Sequence, residues 1–225
     1  MSKYCEKCNH TGLIVWQDED GYAYAKQCEC SIKVDFERRI KKSGLLNLFS
    51  EYTFEKYEVK SKWQEVIKNR ALDYIENHKH DWFYIGGQVG SGKSFICTAI
   101  VSKLVEKGYD AYYFQWREDS TKLKMNINDF EYYNNLLDKY KNVKVLYIDD
   151  LFKGTKQPTE ADLRLAFDLI NYRYINKDLI TIISSEYIID DIIDIDQAIG
   201  TRIYERSKNY NTKLAQNKEM NMRMK

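Results

Sequence analysis

Eight consecutive residues constrain this chain most: Gly87-Gln88-Val89-Gly90-Ser91-Gly92-Lys93-Ser94. They fit the pattern G-x-x-x-x-G-K-[ST] and stand between an apolar run at residues 82–85 and a segment of helical spacing from 93 to about 107. In a strand–turn–helix context the glycines let successive backbone N–H groups curl around a phosphate, and the helix N-terminus adds its partial positive charge. Lys93 then reaches the outer phosphates, and the Ser94 hydroxyl is placed to coordinate Mg²⁺. The plain alternative is a chance glycine turn with a surface lysine, and the flanking strand and helix argue against it.

A site of this kind needs a carboxylate at the end of an adjacent buried strand. The run Val145-Leu146-Tyr147-Ile148 leads into Asp149-Asp150. Asp149 is expected to hold Mg²⁺, directly or through water, and Asp150 to orient or deprotonate an attacking water. An Asx turn closing the strand would need only one acid.

The same alternation of strand and helix runs through most of the chain. Trp63, Val66, Ile67, Ala71, Tyr74 and Ile75 share one face of a helix over residues 62–78. Strands are expected at 82–85, 111–115, 143–148 and 179–184, with helices at 93–107 and 160–175 and at least one more within 117–142. Strands that read as nearly continuous apolar runs imply an α/β fold, a parallel sheet covered by helices on both faces. At 44% hydrophobic residues the chain can fill such a core, and its 225 residues suit one medium domain with a small appendage. Thirty-five Lys+Arg against 34 Asp+Glu give a formal net charge of +1, which removes any global electrostatic case for nucleic acid or membrane. No apolar run approaches the roughly 18–20 residues of a membrane span, and the start MSKYCEKC lacks the core of a signal peptide, so a cytoplasmic protein is expected. One proline and 10 glycines leave no flexible linker, so a domain boundary must be a short ordered crossover.

Four of the five cysteines, Cys5, Cys8, Cys28 and Cys30, fall in the first 30 residues. In a reducing compartment such clustering points to metal before disulfides, and four thiolates make a closed tetrahedral Zn²⁺ site. The second pair is C-x-C instead of the commoner C-x-x-C, and His10 is a substitute ligand. Reversible dithiols, another metal, or unligated buried cysteines are the alternatives. The run Leu13-Ile14-Val15-Trp16, a turn at residues 18–21, and Tyr22/Tyr24 suggest a β-hairpin between the cysteine pairs. A charged helix over 32–43 would complete an N-terminal unit of residues 1–43, followed by a crossover at 44–51 and a main domain at 52–225. Cys97 reads as a small core residue.

Taken together, GGQVGSGKS, LYIDDLF, a helix carrying INYRY, TIISSE and GTRIYER, in that order, resemble the DnaC/DnaI helicase-loader and IstB-like branch of the AAA+ ATPases over residues 52–206. That resemblance implies ATP as the nucleotide and an ATP-dependent homo-oligomer. It implies a replicative DNA helicase as partner and single-stranded DNA as the surface on which the helicase is deposited. It also implies an arginine in GTR, Arg202, supplied to a neighbouring subunit's ATP, with Arg206 in reserve; without the family context Arg202 reads as a surface residue paired with Asp196 or Glu205. A sensor is expected at the end of the strand after the acids, where this chain has Ser184-Ser185-Glu186 in place of the Asn of many relatives. The roughly 20 residues after Arg202 are too few for the helical lid that many AAA+ proteins carry. Loaders of the DnaI type resemble this chain in having an N-terminal zinc-binding domain that contacts the helicase. One rival is an IstB-type transposition helper acting on duplex DNA with a transposase, which would not predict the cysteine unit. Another is a non-catalytic adaptor, which would not need Lys93, Ser94, Asp149 and Asp150 intact. Tyr112-Tyr113, Trp116-Arg117 and Tyr132-Tyr133 near Lys122 and Lys124 could stack on single-stranded bases, or simply pack the sheet.

Overall fold

The computed structural model describes residues 5–9, 11–28, 30–31, 41, 48, 50–154 and 157–224. His10, all but Lys41 of the helix expected over 32–43, and residues 44–47 and 49 of the 44–51 crossover lie outside the described residues.

Between the cysteine pairs, β1 (Leu13–Gln17) and β2 (Ala23–Gln27) form the expected antiparallel hairpin, with Trp16 opposite Tyr24. Asp18 closes its turn. One carboxylate oxygen accepts the amides of Asp20 and Tyr22, and the other accepts the Tyr24 hydroxyl.

The remaining described elements run α1 (Lys62–Asn77), β3 (Phe83–Gly87), α2 (Lys93–Glu106), β4 (Ala111–Gln115), α3 (Trp116–Met125), α4 (Phe130–Asn142), β5 (Val145–Leu151), α5 (Glu160–Ile175), β6 (Ile180–Ser185), α6 (Ile189–Ile195), α7 (Gln197–Ser207) and β7 (Asn211–Leu214), followed by two short 3-10 turns at Lys218–Met220 and Met222–Met224. The five strands β3–β7 make one sheet in the order β4-β5-β6-β3-β7, every pair parallel. Period-2 alternation divides their side chains between two cores. Phe83, Ile85, Val145, Tyr147, Ile180 and Ile182 pack under α1 and α2. Tyr84, Leu146, Ile148 and Ile183 face the other way, against Leu137, Leu165, Leu169, Ile192 and Ile203 of the later helices. Both faces are therefore covered, as the apolar runs required.

Chain order puts the site at the crevice of this sheet. From β3 the chain crosses past β6 and β5 to the far edge at β4, whereas from β6 it crosses past β3 to the opposite edge at β7. The direction of winding thus reverses at the β3/β6 boundary, and in open α/β sheets ligands bind at the carboxyl ends of strands at such a point.

The structure departs from the sequence expectations at β5 and after α7, and within 116–142 it fills out the expectation of at least one helix. β5 begins at Val145 rather than 143 and continues through both aspartates to Leu151. Residues 116–142 hold two helices, the second N-capped by Asp129, whose side chain accepts the Tyr132 amide. The polar segment after α7 contributes an edge strand, β7, held by backbone pairing of residues 211–214 to β3.

Two buried arginines join these layers. Arg173 of α5, fully buried, donates to the carbonyls of Tyr140, Lys141, Val143 and Ile180 and to Thr181 Oγ1. Arg206 of α7 donates to the carbonyls of Arg173, Tyr174, His80, Lys177 and Leu179 and stacks over Trp82 at 5.1 Å.

Candidate functional site

The loop after β3 turns where side chains are excluded. Gly87 has φ +114°, and a Cβ there would lie 2.0 Å from the Leu214 carbonyl oxygen of β7. Gly92, at φ +83°, is the left-handed N-cap of α2. Ser91 Oγ donates to the Gln88 carbonyl at 2.7 Å, tightening the loop. Lys93 is buried, and its ammonium donates to the Gly87 and Gln88 carbonyls at 2.8 and 2.7 Å. Burial lowers its pKa from the ordinary lysine value, while the charges of Asp150 and Glu186 act in the opposite sense.

Behind the loop, Asp149 gathers hydroxyls from three strands and a helix. Its Oδ1 accepts Ser94 Oγ of α2 at 2.9 Å, Tyr147 OH of β5 at 2.7 Å and Ser184 Oγ of β6 at 2.6 Å. Its Oδ2 accepts Tyr113 OH of β4 at 2.8 Å. Burial, reinforced by the Asp149 charge, pushes both phenols above the usual tyrosine range, so they stay protonated and donate. Ser184 also accepts the Asp150 amide at 2.9 Å, linking the two acids through one hydroxyl. Ser94 and Asp149 offer two hard oxygens 2.9 Å apart. Adjacent ligands of an octahedral Mg²⁺, at about 2.1 Å from the metal, stand about 3.0 Å apart, so the pair fits that ion.

Asp150 comes next on the strand, is partly exposed, and adopts φ +56°. Its Oδ2 accepts the Lys153 ammonium at 2.6 Å, and Glu186 Oε1 lies 3.3 Å from the same nitrogen. The turn that returns Lys153 over Asp150 also holds Phe152 at φ +65°. Left-handed backbone costs a bulky residue about 1–2 kcal/mol, which burial of Phe152 against Trp116 offsets. Lys93, Ser94, Asp150, Lys153, Glu186 and Arg223 line one cleft. Arg223 reaches it because the Met222 amide donates to the Gly90 carbonyl at 2.8 Å.

Of the expected sensor residues, Ser184 touches Asp149, Ser185 donates to the Leu151 carbonyl at 2.9 Å, and Glu186 faces the cleft. Arg202 is not in this cleft among its described lining residues. Its guanidinium donates to Asn171 Oδ1 and the Ala198 carbonyl and lies over the rings of Phe167 and Tyr174 at 5.2 and 5.5 Å. Neither Asp196 nor Glu205 pairs with it among the described residues; Asp196 caps α7 and Glu205 accepts Tyr174 OH. Arg206, the reserve choice, is committed to five carbonyls inside the chain. Tyr113 and Trp116, considered for base stacking, belong to the Asp149 network and the core, whereas Tyr132 is exposed.

At the hairpin, the four sulfurs of Cys5, Cys8, Cys28 and Cys30 all lie within 4.8 Å of one another, with Cys5–Cys28 at 3.7 Å and Cys8–Cys30 at 3.4 Å. Thiolates about 2.3 Å from a tetrahedral Zn²⁺ stand about 3.8 Å apart, so the set fits that metal. Cys97 is fully buried on α2, as expected.

Residues 33–223 match the family described as IstB-like ATP binding protein. The chain belongs to the IstB-like ATP-binding family. Among similar proteins, YqaM of Bacillus subtilis (strain 168) is 34% identical over 216 residues, covering 90% of this chain and 66% of YqaM. The phage-like element PBSX protein XkdC of the same organism is 32% identical over 222 residues, covering 93% of this chain and 82% of XkdC. The replicative helicase loader DnaC of Escherichia coli (strain K12) is 25% identical over 152 residues, covering 66% of this chain and 62% of DnaC. The crystal structure of the DnaC helicase loader superposes with a TM-score of 0.62 at 21% identity, over 76% of this chain and 99% of that one. The chain therefore spans about two thirds of YqaM and somewhat less of E. coli DnaC. It is a DnaC-like, IstB-branch protein with the AAA+ fold. Among the described residues of this IstB-like chain, no helix is long and apolar enough to cross a membrane.

Proposed function

We propose that the chain is a Mg²⁺-dependent ATPase that loads a replicative DNA helicase onto single-stranded DNA in the cytoplasm. The observation that carries the ATPase half is the link Ser94–Asp149–Ser184–Asp150, placed beside Lys93 at the crevice of the sheet. Residues 87–94 bind the phosphates through backbone amides and Lys93. Ser94 and Asp149 hold Mg²⁺, which when bound neutralises charge on the β- and γ-phosphate oxygens. Asp150 orients the attacking water and takes its proton, with the Ser184 hydroxyl fixing the backbone that carries it. Arg202 completes a neighbour's site in an ATP-dependent homo-oligomer, where its charge offsets that developing on the transferred phosphoryl group.

Cys5, Cys8, Cys28 and Cys30 hold a structural Zn²⁺ that supplies folding free energy to a small N-terminal unit, residues 1–43, distinct from an ATPase unit at 52–225. Loading is favoured over transposition because the family resemblance associates a cysteine unit with loaders, and a helicase loader stands among the similar proteins. An adaptor without turnover would have no use for so complete a carboxylate network.

The test is purification with a replicative helicase under Mg·ATP, with turnover measured in parallel. Stable association, lost on deletion of residues 1–31, is expected. Association that survives the deletion would move the partner surface to the ATPase unit, and association with a transposase instead would replace loading by the transposition reading.

A further inference from the structure

Lys153 is a cation of the cleft that belongs to neither the glycine loop nor the paired acids. Lys153 stands three residues beyond Asp150 and is turned back over it, bound to Asp150 at 2.6 Å and to Glu186 at 3.3 Å. It lines the same cleft as Lys93 and Ser94. An ammonium has three donors, and two carboxylates engage two of them. Those two acids are also what holds the long, flexible side chain in place, since a lone lysine would lose rotamer freedom on being fixed there. The carboxylate that activates water must lie beyond the terminal phosphate, opposite the leaving group. Lys153, hydrogen-bonded to Asp150, is at that same end, opposite the glycine loop from which Lys93 reaches the outer phosphates.

We propose that Lys153 reads the terminal phosphate of the chain's own nucleotide, with Asp150 and Glu186 as its holders, and so sets the preference for a nucleoside triphosphate over a diphosphate. This rests on the nucleotide reading of residues 87–94. When the terminal phosphate is present, the ammonium bridges it to Asp150; when it is absent, the ammonium stays with the two carboxylates. The arrangement makes occupancy by a triphosphate felt together at Glu186, just past the end of β6, and at Asp150 on β5.

The experiment compares affinities of the full chain for Mg²⁺ complexes of adenylyl imidodiphosphate and of ADP by titration calorimetry. Wild type, Lys153→Met, Lys153→Arg and Lys93→Ala are measured, each checked for unchanged melting without nucleotide. Lys153→Met is expected to weaken the triphosphate analogue about ten-fold and ADP less than about two-fold, and Lys153→Arg to restore most of the preference. Equal losses for both nucleotides, or no loss for either, would overturn the role of Lys153 while Lys93→Ala still abolished binding. A folded Lys93→Ala protein that bound both nucleotides normally would instead remove the nucleotide reading, and this inference with it.

Discussion

Ser184 Oγ lies 2.6 Å from Asp149 Oδ1 and accepts the amide of the next residue, Asp150, at 2.9 Å. A single fully buried hydroxyl on β6 thus fixes both acids at the end of β5. Ser184→Ala leaves a buried amide without its acceptor and Asp149 one donor short. It should cost about 1–3 kcal/mol of stability and lower ATP turnover about ten-fold, with ATP affinity little changed. Thermal melts and steady-state kinetics check this; an unaltered kcat would separate Ser184 from the carboxylates' work.

Arg173→Leu tests what joins the layers. It strips five hydrogen bonds from buried acceptors at the ends of α4 and β6. A loss of about 3 kcal/mol or more is expected, a fall of roughly 6–12 °C in Tm for a chain this size. A shift within 1–2 °C, by the same scaling, would mean that water replaces the guanidinium.

The cysteine centre should carry about one zinc per chain by elemental analysis, lost when Cys5 and Cys8 are both changed to Ser. ATP binding by the rest of the chain should persist. A metal-free native protein would end the zinc assignment, and ATP binding lost together with the metal would show that the two units fold as one.

Arg202 lies over Phe167 and Tyr174, away from its own chain's cleft. If it serves a neighbour, ATPase activity rises faster than linearly with protein concentration, and Arg202→Ala depresses hydrolysis while sparing ATP binding. Mixing Arg202→Ala with Asp150→Asn protein should then restore activity. One junction pairs both defects and leaves another intact. Proportional activity without rescue would leave Arg202 a packing residue.

Much of this architecture is written locally. The glycine loop, the paired acids and the cysteine pairs are short patterns whose chemistry demands those residue types, and the parallel sheet follows from apolar runs alternating with helical spacing. What escaped the sequence depends on register. The β5–β6 pairing shifts between Ile148 and Leu151, and it is beside this irregularity that Ser184 meets Asp149 and Asp150. Tyr113 reads as one aromatic among many until β4 pairs with β5 and sets its hydroxyl on Asp149. β7 carries little apolar signal because its strand state comes from pairing with β3. Arg206 sits four residues after Arg202 in the same helix, yet one turn places it among buried carbonyls, a distinction only packing makes.

On the nucleotide reading, residues 87–94 bind the phosphates of Mg·ATP through Lys93. Titration calorimetry of ATP into wild-type and Lys93→Ala protein, with and without Mg²⁺, tests it most directly. Tight binding by the wild type that weakens on chelation of Mg²⁺ is expected, with no measurable binding by a folded Lys93→Ala variant. Unchanged affinity in that variant would contradict it.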